Sequence, residues 1–215
     1  NQLVVEMSNC GARDSSAASL SRVLRLSADL GHYIGDAHVP LHTTSNYNGQ
    51  LTGQLGIHAL WETHVYETSR PNWSGQKIEA LYISDLRNWI WSRIMSSNAN
   101  VEEVLRMEKA VRERVGAPDV WGYRTRGRTL SLIPTPGFCE EYNDSLDGMV
   151  EERFYMAAEG IASAWYSAWV DAGAPDLEND LIKPKKRNLM SELGHFLRAR
   201  FPIQKERVGE DLYLH

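Results

Sequence analysis

The sequence predicts an all-α fold, a bundle of several helices, on three observations. Apolar residues recur near helical spacing over long stretches, notably 16–37, 77–97, 101–115 and 137–172. Polar runs with Gly, Pro or Asn separate those stretches. No convincing strand pattern follows the N-terminal piece, and no internal repeat occurs.

Taken in order, residues 1–14 (NQLVVEMSNCGARD) read as an extended or irregular lead-in. Ser15 and Ser16 are N-cap candidates, and Ala18, Leu20, Val23, Leu24, Leu26, Leu30 and Ile34 then predict a helix from Ser16 to Ala37. Pro40 ends it, and His42 follows where the chain turns inward. Residues 43–53 (TTSNYNGQLTG) form a polar loop with an Asn-Gly step, and Gly56 to Tyr66 a short second helix. A turn at 70–75 (RPNWSG) precedes a helix over 77–97 with Leu81, Ile83, Leu86, Trp89, Ile90 and Ile94 on its apolar face. Asn100 caps a further helix to Val115, with Val101, Val104, Leu105, Met107 and Val111 inward. Residues 116–136 read as a linker with two proline turns and an Arg124, Arg126, Arg128 cluster. One long helix from Gly137 to Ala172 follows, stopped by Gly173 and Pro175. This gives a helical domain over 1–177 and a polar extension over 178–215 with one short helix, Leu189 to Arg200.

The composition is that of an ordinary globular chain: 215 residues, net charge −5, 42% hydrophobic and 24% charged. That balance lacks the basic stripe of a duplex-DNA reader. It is compatible with phosphate substrates where metal ions supply positive charge. Cys10 and Cys139 are too few for a disulfide framework and read as single buried residues. No apolar run reaches the roughly 20 residues of a membrane span, and no signal-peptide pattern is visible.

The chemistry concentrates in HYIGDAHVPLHTTSNYNGQLTGQLGIHALWE, from His32 to Glu62. His32 and Asp36 are four apart, as are His58 and Glu62, so each pair shares one helix face. His42 lies between them, just after a proline. Imidazole and carboxylate donors without thiolate suit zinc, and a site with three protein ligands keeps a position open for water.

The pattern H-x3-D-x3-P-x-H (His32, Asp36, Pro40, His42), then G-x-H-x3-E (Gly56, His58, Glu62), resembles bacterial zinc-dependent phospholipase C and the fungal single-strand-specific zinc nucleases. The resemblance implies an almost wholly helical bundle with up to three zinc ions at one end, hydrolysing phosphate esters with metal-activated water. It implies that His42, His58 and Glu62 hold one zinc, the site complete in this chain. His32 and Asp36 would contribute to the other two, with Asp36 bridging them and counted as catalytic. The glutamate at 62 looks like the phospholipase branch. In the family an N-terminal tryptophan, two histidines and an aspartate complete the cluster, so this chain is read as the C-terminal two-thirds of such a protein. Export to the periplasm or beyond is likewise implied.

Around the ligands, Asn46, Tyr47 and Asn48 on the loop are candidate substrate contacts, and Asp29, one turn before His32, a candidate outer partner for its ring. His38 and His64 read as structural or outer residues, and His195 and His215 lie in the tail. The helical spacing of Trp61, Trp89, Trp91, Trp165 and Trp169 favours core packing over a lipid-facing or base-stacking set. Glu140, Glu141, Tyr142 and Asn143 suit a helix start, and the three arginines and the KPKKR run read as solvated segments.

The expected function is therefore a zinc-dependent phosphodiesterase acting on a phospholipid or on single-stranded nucleic acid. The alternatives are a non-catalytic, zinc-stabilised helical domain and a metal-independent helical interaction module.

Overall fold

The computed structural model describes residues 2–11, 17–73, 75–126 and 129–177. The expected helix at 189–200, His195, His215 and Arg128 lie outside them.

The described chain is mostly helical, with one two-stranded sheet. The lead-in is a helix, α1 (Gln2–Gly11), instead of an irregular segment. Leu3, Met7 and Cys10 recur at i, i+4, i+7 and bury one face against Val23 and Ala168. The helix α2 (Ala17–Ala37) follows. It ends before Pro40, and Pro40–Thr43 tighten into a 3-10 turn. Ser97 Oγ donates to the Ala37 carbonyl at 2.7 Å, satisfying a terminal acceptor that the helix itself leaves open.

The second predicted helix is longer and less regular than expected. It runs as α3 (Ile57–Ala59), a π-helical turn (Leu60–Val65) and α4 (Tyr66–Ser69), then a 3-10 turn (Arg70–Asn72). Single π turns inside helices are often found at functional sites, and this one carries Glu62.

Residues 77–85 depart from the sequence reading: the helix α5 spans Leu86–Asn98 only. Asp85 accepts the Asn88 N–H and caps its start. Upstream, the N–H groups of Leu81 and Ile83 are given to Ser163 and Ser167 hydroxyls at 3.0 and 2.7 Å. Those hydroxyls offer the backbone a partner that competes with helix formation.

The helix α6 (Val101–Val115) stands as expected, with Val104 and Val111 fully buried. Asn100 occupies its cap position, but its amide bonds back to the Ser96 carbonyl. After the short α7 (Ala117–Val120), the predicted linker is an antiparallel hairpin of β1 (Trp121–Arg126) and β2 (Thr129–Pro134). Its register places Tyr123 opposite Leu132. Tyr123 is 76% exposed, so the hairpin buries too little to leave a clean alternating signature.

The long C-terminal helix is two helices, α8 (Pro136–Ser145) and α9 (Met149–Asp171). Asp147 and Gly148 both take positive φ, 49° and 80°, which breaks the helix between them. Thr135 caps α8 by accepting the Phe138 N–H.

Two cores result. One gathers Leu41, Ile57, Leu60, Trp61 and Val65 with Val104, Val111, Phe138, Tyr142 and Val150 beneath the 57–69 run. The other clamps α1 between α2 and α9. Neither cysteine is in a disulfide; each is buried, one in each core. Of the five tryptophans read as core, Trp61 is buried, whereas Trp91 and Trp165 are 55% and 40% exposed. Among the described residues no helix is long and apolar enough to cross a membrane.

The helices α2, α5 and α9 meet closely at Gly160, where an added Cβ would stand 2.6 Å from Trp89 Cη2 and 3.3 Å from Ile34 Cγ2. Gly160→Ala is expected to destabilise the fold by about 1–3 kcal/mol through overpacking. A thermal melt measures it; an unchanged midpoint would show that Trp89 yields freely.

Candidate metal centre

Three segments carry the site. His32 and Asp36 sit in the last turns of α2, His42 in the 3-10 turn, and His58 and Glu62 in the 57–69 run. Local burial aims these side chains. Pro40 and Leu41 are buried, so His42 turns outward beside them. Ile57, Leu60 and Trp61 are also buried, which leaves His58 and Glu62 on the opposite face.

The result is a contiguous chain of five groups. His32 Nε2 lies 3.4 Å from Asp36 Oδ2, and His42 Nε2 lies 3.5 Å from Asp36 Oδ1. Glu62 then spans two imidazoles: Oε1 is 2.9 Å from His42 Nε2 and Oε2 is 3.1 Å from His58 Nε2. The rings of His42 and His58 stand edge to face, centroids 4.7 Å apart.

The tautomer of His58 follows from its other nitrogen. A carbonyl only accepts, so Nδ1–H donates to the Tyr47 oxygen at 3.3 Å. In the neutral ring this leaves the Nε2 lone pair facing a carboxylate oxygen, and in the doubly protonated ring Nε2–H donates to it. Two acceptors facing one another require a cation between them, either a proton or a metal ion.

Electrostatics point the same way. Burial raises the Glu62 carboxyl, but hydrogen bonds from His42 and His58 outweigh it and hold the pKa at about 2. The Glu62 hydrogen bond raises His42, against burial and with support from Asp36. Burial lowers the pKa of His38, whose Nδ1 donates to the Ile34 carbonyl at 2.8 Å. His64 is also lowered, first by burial.

One donor atom each from His42, His58 and Glu62 lies within 4.8 Å of the others. Donors around a tetrahedral zinc sit roughly 3.3 Å apart, given bonds of about 2.0–2.1 Å. The set of two imidazoles and one carboxylate fits such an ion. Asp36 adjoins it at His42, and His32 extends the line through Asp36.

The loop between His42 and His58 is internally braced. Asn46 is 6% exposed; its amide donates to Thr52 Oγ1 at 3.0 Å and accepts from Leu51 N at 2.7 Å. Asn48 Oδ1 accepts from Gly56 N at 3.1 Å. The side chains of both asparagines thus hold the loop in shape. Tyr47 is 54% exposed, its ring centroid 6.1 Å from that of His58. Asp29 lies 3.8 Å from Arg25 Nε, one turn back along α2.

Other parts of the site carry no sequence pattern. The Tyr47 carbonyl is a backbone group, invisible to residue spacing. Glu108 is fully buried on α6 beside Arg112, and Gln54 of the loop donates to it. Arg153 of α9 lines the groove next to His32, Asp36 and Glu62.

No family model, curated protein or solved structure matches this chain.

Two expectations follow. His42→Ala or Glu62→Ala should weaken zinc binding by more than the roughly 10–100-fold that loss of an outer partner costs, as read by equilibrium titration. The ion must also displace the proton that the raised pKa keeps on His42. The rise in melting temperature given by zinc should therefore grow as pH climbs through the raised His42 pKa, above the ordinary histidine range. Without an ion the sign reverses: the His42 contribution is lost as pH climbs through its raised pKa, while Glu62 stays ionised down to about 2. A zinc effect flat with pH would remove His42 from the ligand set.

Proposed function

We propose that this chain is a zinc-dependent phosphoric ester hydrolase acting on a phosphodiester, with a helical bundle of the zinc phospholipase C and nuclease type. The reading rests on one observation. His42, His58 and Glu62 are separated by a loop, yet bring donor atoms within 4.8 Å of one another. The residue pattern around them is the one whose resemblance implies that chemistry.

In this reading His42, His58 and Glu62 hold the ion. When bound, it supplies a Lewis acid and acidifies water, whose pKa falls from near 16 towards 7. The chain's own groups do the rest. Asp36 lies outside the three-donor set, between His32 and His42. It takes the proton that water gives up on attacking phosphorus. His32, on its far oxygen, orients that carboxylate. Tyr47 fixes His58 through its backbone carbonyl and leaves its exposed ring at the mouth of the site for substrate.

A second reading is a zinc-stabilised domain without turnover. It is favoured by the same donors: they tie the 40–43 turn to the 57–69 run across one ion, and Asp36 would then be a bystander.

Hydrolysis of bis(p-nitrophenyl) phosphate by the zinc-loaded chain separates the two, with a short-chain phospholipid and single-stranded DNA as further substrates. The hydrolase reading expects turnover abolished by a chelator and lowered about 10²–10⁴-fold by Asp36→Asn, the usual contribution of a general base. No turnover on any of the three, with zinc bound and a large fall in melting temperature on chelation, would leave the stabilised-domain reading.

A further inference from the structure

Strand alternation sorts the side chains of the β1–β2 hairpin onto two faces. The register puts Trp121, Tyr123 and Thr125 on one of them, opposite Pro134, Leu132 and Leu130 in turn. Gly122 and Arg124 take the other, opposite Ile133 and Ser131. A sheet packed on a core turns its apolar face inward. Here the orientation is reversed. Tyr123, Leu130 and Leu132 are 76%, 62% and 55% exposed. The mixed face lies toward the body: Arg124 Nη1 stands 3.5 Å from Glu67 Oε2 on α4, and Ser131 and Ile133 are half-buried.

The chemistry of the outward face narrows what can cover it. Its large apolar side chains are few for a protein partner, since a standard interface engages roughly 20–30 residues a side. Leucines offer no π face, so they add nothing to a platform on which bases would stack. A lipid surface accepts both kinds: leucine enters the acyl boundary, while Trp and Tyr rest at headgroup level with one apolar end and one wet. The charge has the matching sign for an anionic surface. The whole chain carries a net −5, yet the two strands contain Arg124 and Arg126 and no acid.

We propose that this hairpin docks the protein on an anionic lipid surface, with Tyr123, Leu130 and Leu132 entering the outer layer and Arg124 taking a headgroup phosphate. Both members of the Arg124–Glu67 pair are exposed. Such pairs are weak, so the guanidinium exchanges its carboxylate for phosphate oxygens, which suit its planar fork. Trp121 is 37% exposed and lies under the Arg112 guanidinium, 5.6 Å from the ring centroid. That anchored end of the face marks how deep the hairpin sinks. Docking needs neither zinc nor turnover, so it stands apart from the hydrolase reading.

The test is co-sedimentation of the whole chain with lipid vesicles, in chelator so that no metal bridges protein and phosphate. Vesicles of phosphatidylcholine with phosphatidylserine should bind it, phosphatidylcholine alone less, and added salt should weaken the first. Leu130→Ser combined with Leu132→Ser should lower partition onto the mixed vesicles about tenfold or more, through lost apolar burial. Arg124→Gln should lower it about fivefold there and leave binding to phosphatidylcholine alone unchanged. All three residues are exposed, so the melting midpoint should hold. Met95→Ser, at a residue 65% exposed on α5, controls for general stickiness and should bind as wild type does. No vesicle binding by wild type, undiminished binding in the double leucine variant, or an equal loss in Met95→Ser overturns the proposal. Equal binding to the two vesicle types overturns the anionic assignment. Self-association abolished by the leucine changes, or single-stranded DNA binding abolished by Tyr123→Ser, with no vesicle binding, would give the face to a second copy or to nucleic acid and overturn it too. A chain that binds the vesicles but hydrolyses no phosphodiester loses the hydrolase reading and keeps the docking hairpin.

Discussion

The Glu62 carboxylate, one oxygen to His42 and one to His58, is the interaction around which the rest of the site is built. It joins two segments that a loop separates, and it gathers acceptor atoms that only a cation reconciles. Everything nearby keeps that convergence in register. Leu41 and Ile57 are driven into one core, so the residues next to each are turned outward at fixed positions. Ser97 and Asn98 of α5 hold the end of α2 and the 3-10 turn, through the Ala37 and Thr43 carbonyls. The loop is braced by its own asparagines and by Gln54 reaching the Leu105 carbonyl on α6. A site held this way is preorganised by packing, which is what a metal centre requires of its outer partners.

How much of this was legible depends on whether local chemistry or a distant partner decided each element. The helix over 17–37 and the one over 101–115 were readable because their periodicity and their burial agree. The His/Asp/Glu spacings were readable for the same reason, since each pair lies on one helical face. The stretch 77–85 was not: its apolar spacing mimics a helix, while Ser163 and Ser167, some eighty positions on, claim its N–H groups. The hairpin at 121–134 was hidden because its residues are largely exposed, and an exposed strand carries little hydrophobic pattern. Two signals were present and passed over. The Asp147-Gly148 step marks a break inside the long apolar run, and Leu3, Met7 and Cys10 give α1 a helical face. Asn46 and Asn48, expected as substrate contacts, also bond within the loop itself, a role that depends on its folded geometry and that residue spacing cannot reveal.

Polar residues on apolar faces are the least legible class, and here they fall into two kinds. Glu108 sits at zero exposure on α6, where periodicity expects a hydrophobe. It is fully provided for: Arg112 one turn on pairs with it, and Gln54 donates from the loop. Its buried charge is therefore a strut, linking the loop that carries Tyr47 to the helix behind it. Removing any one member would leave another charge or amide unpaired, which is why such networks specify a unique arrangement.

Arg153 is buried nearly as deeply, and among the described residues its guanidinium hydrogen-bonds only to serine oxygens. The contrast is informative because the fold plainly can supply a counter-charge to a buried ion when structure alone is at stake. At 153 no carboxylate among the described residues forms an ion pair, although Asp36 and Glu62 line the same groove. Those two carboxylates face the histidines instead. Charges of opposite sign thus line one groove, the acids turned to histidines and the guanidinium to serine oxygens.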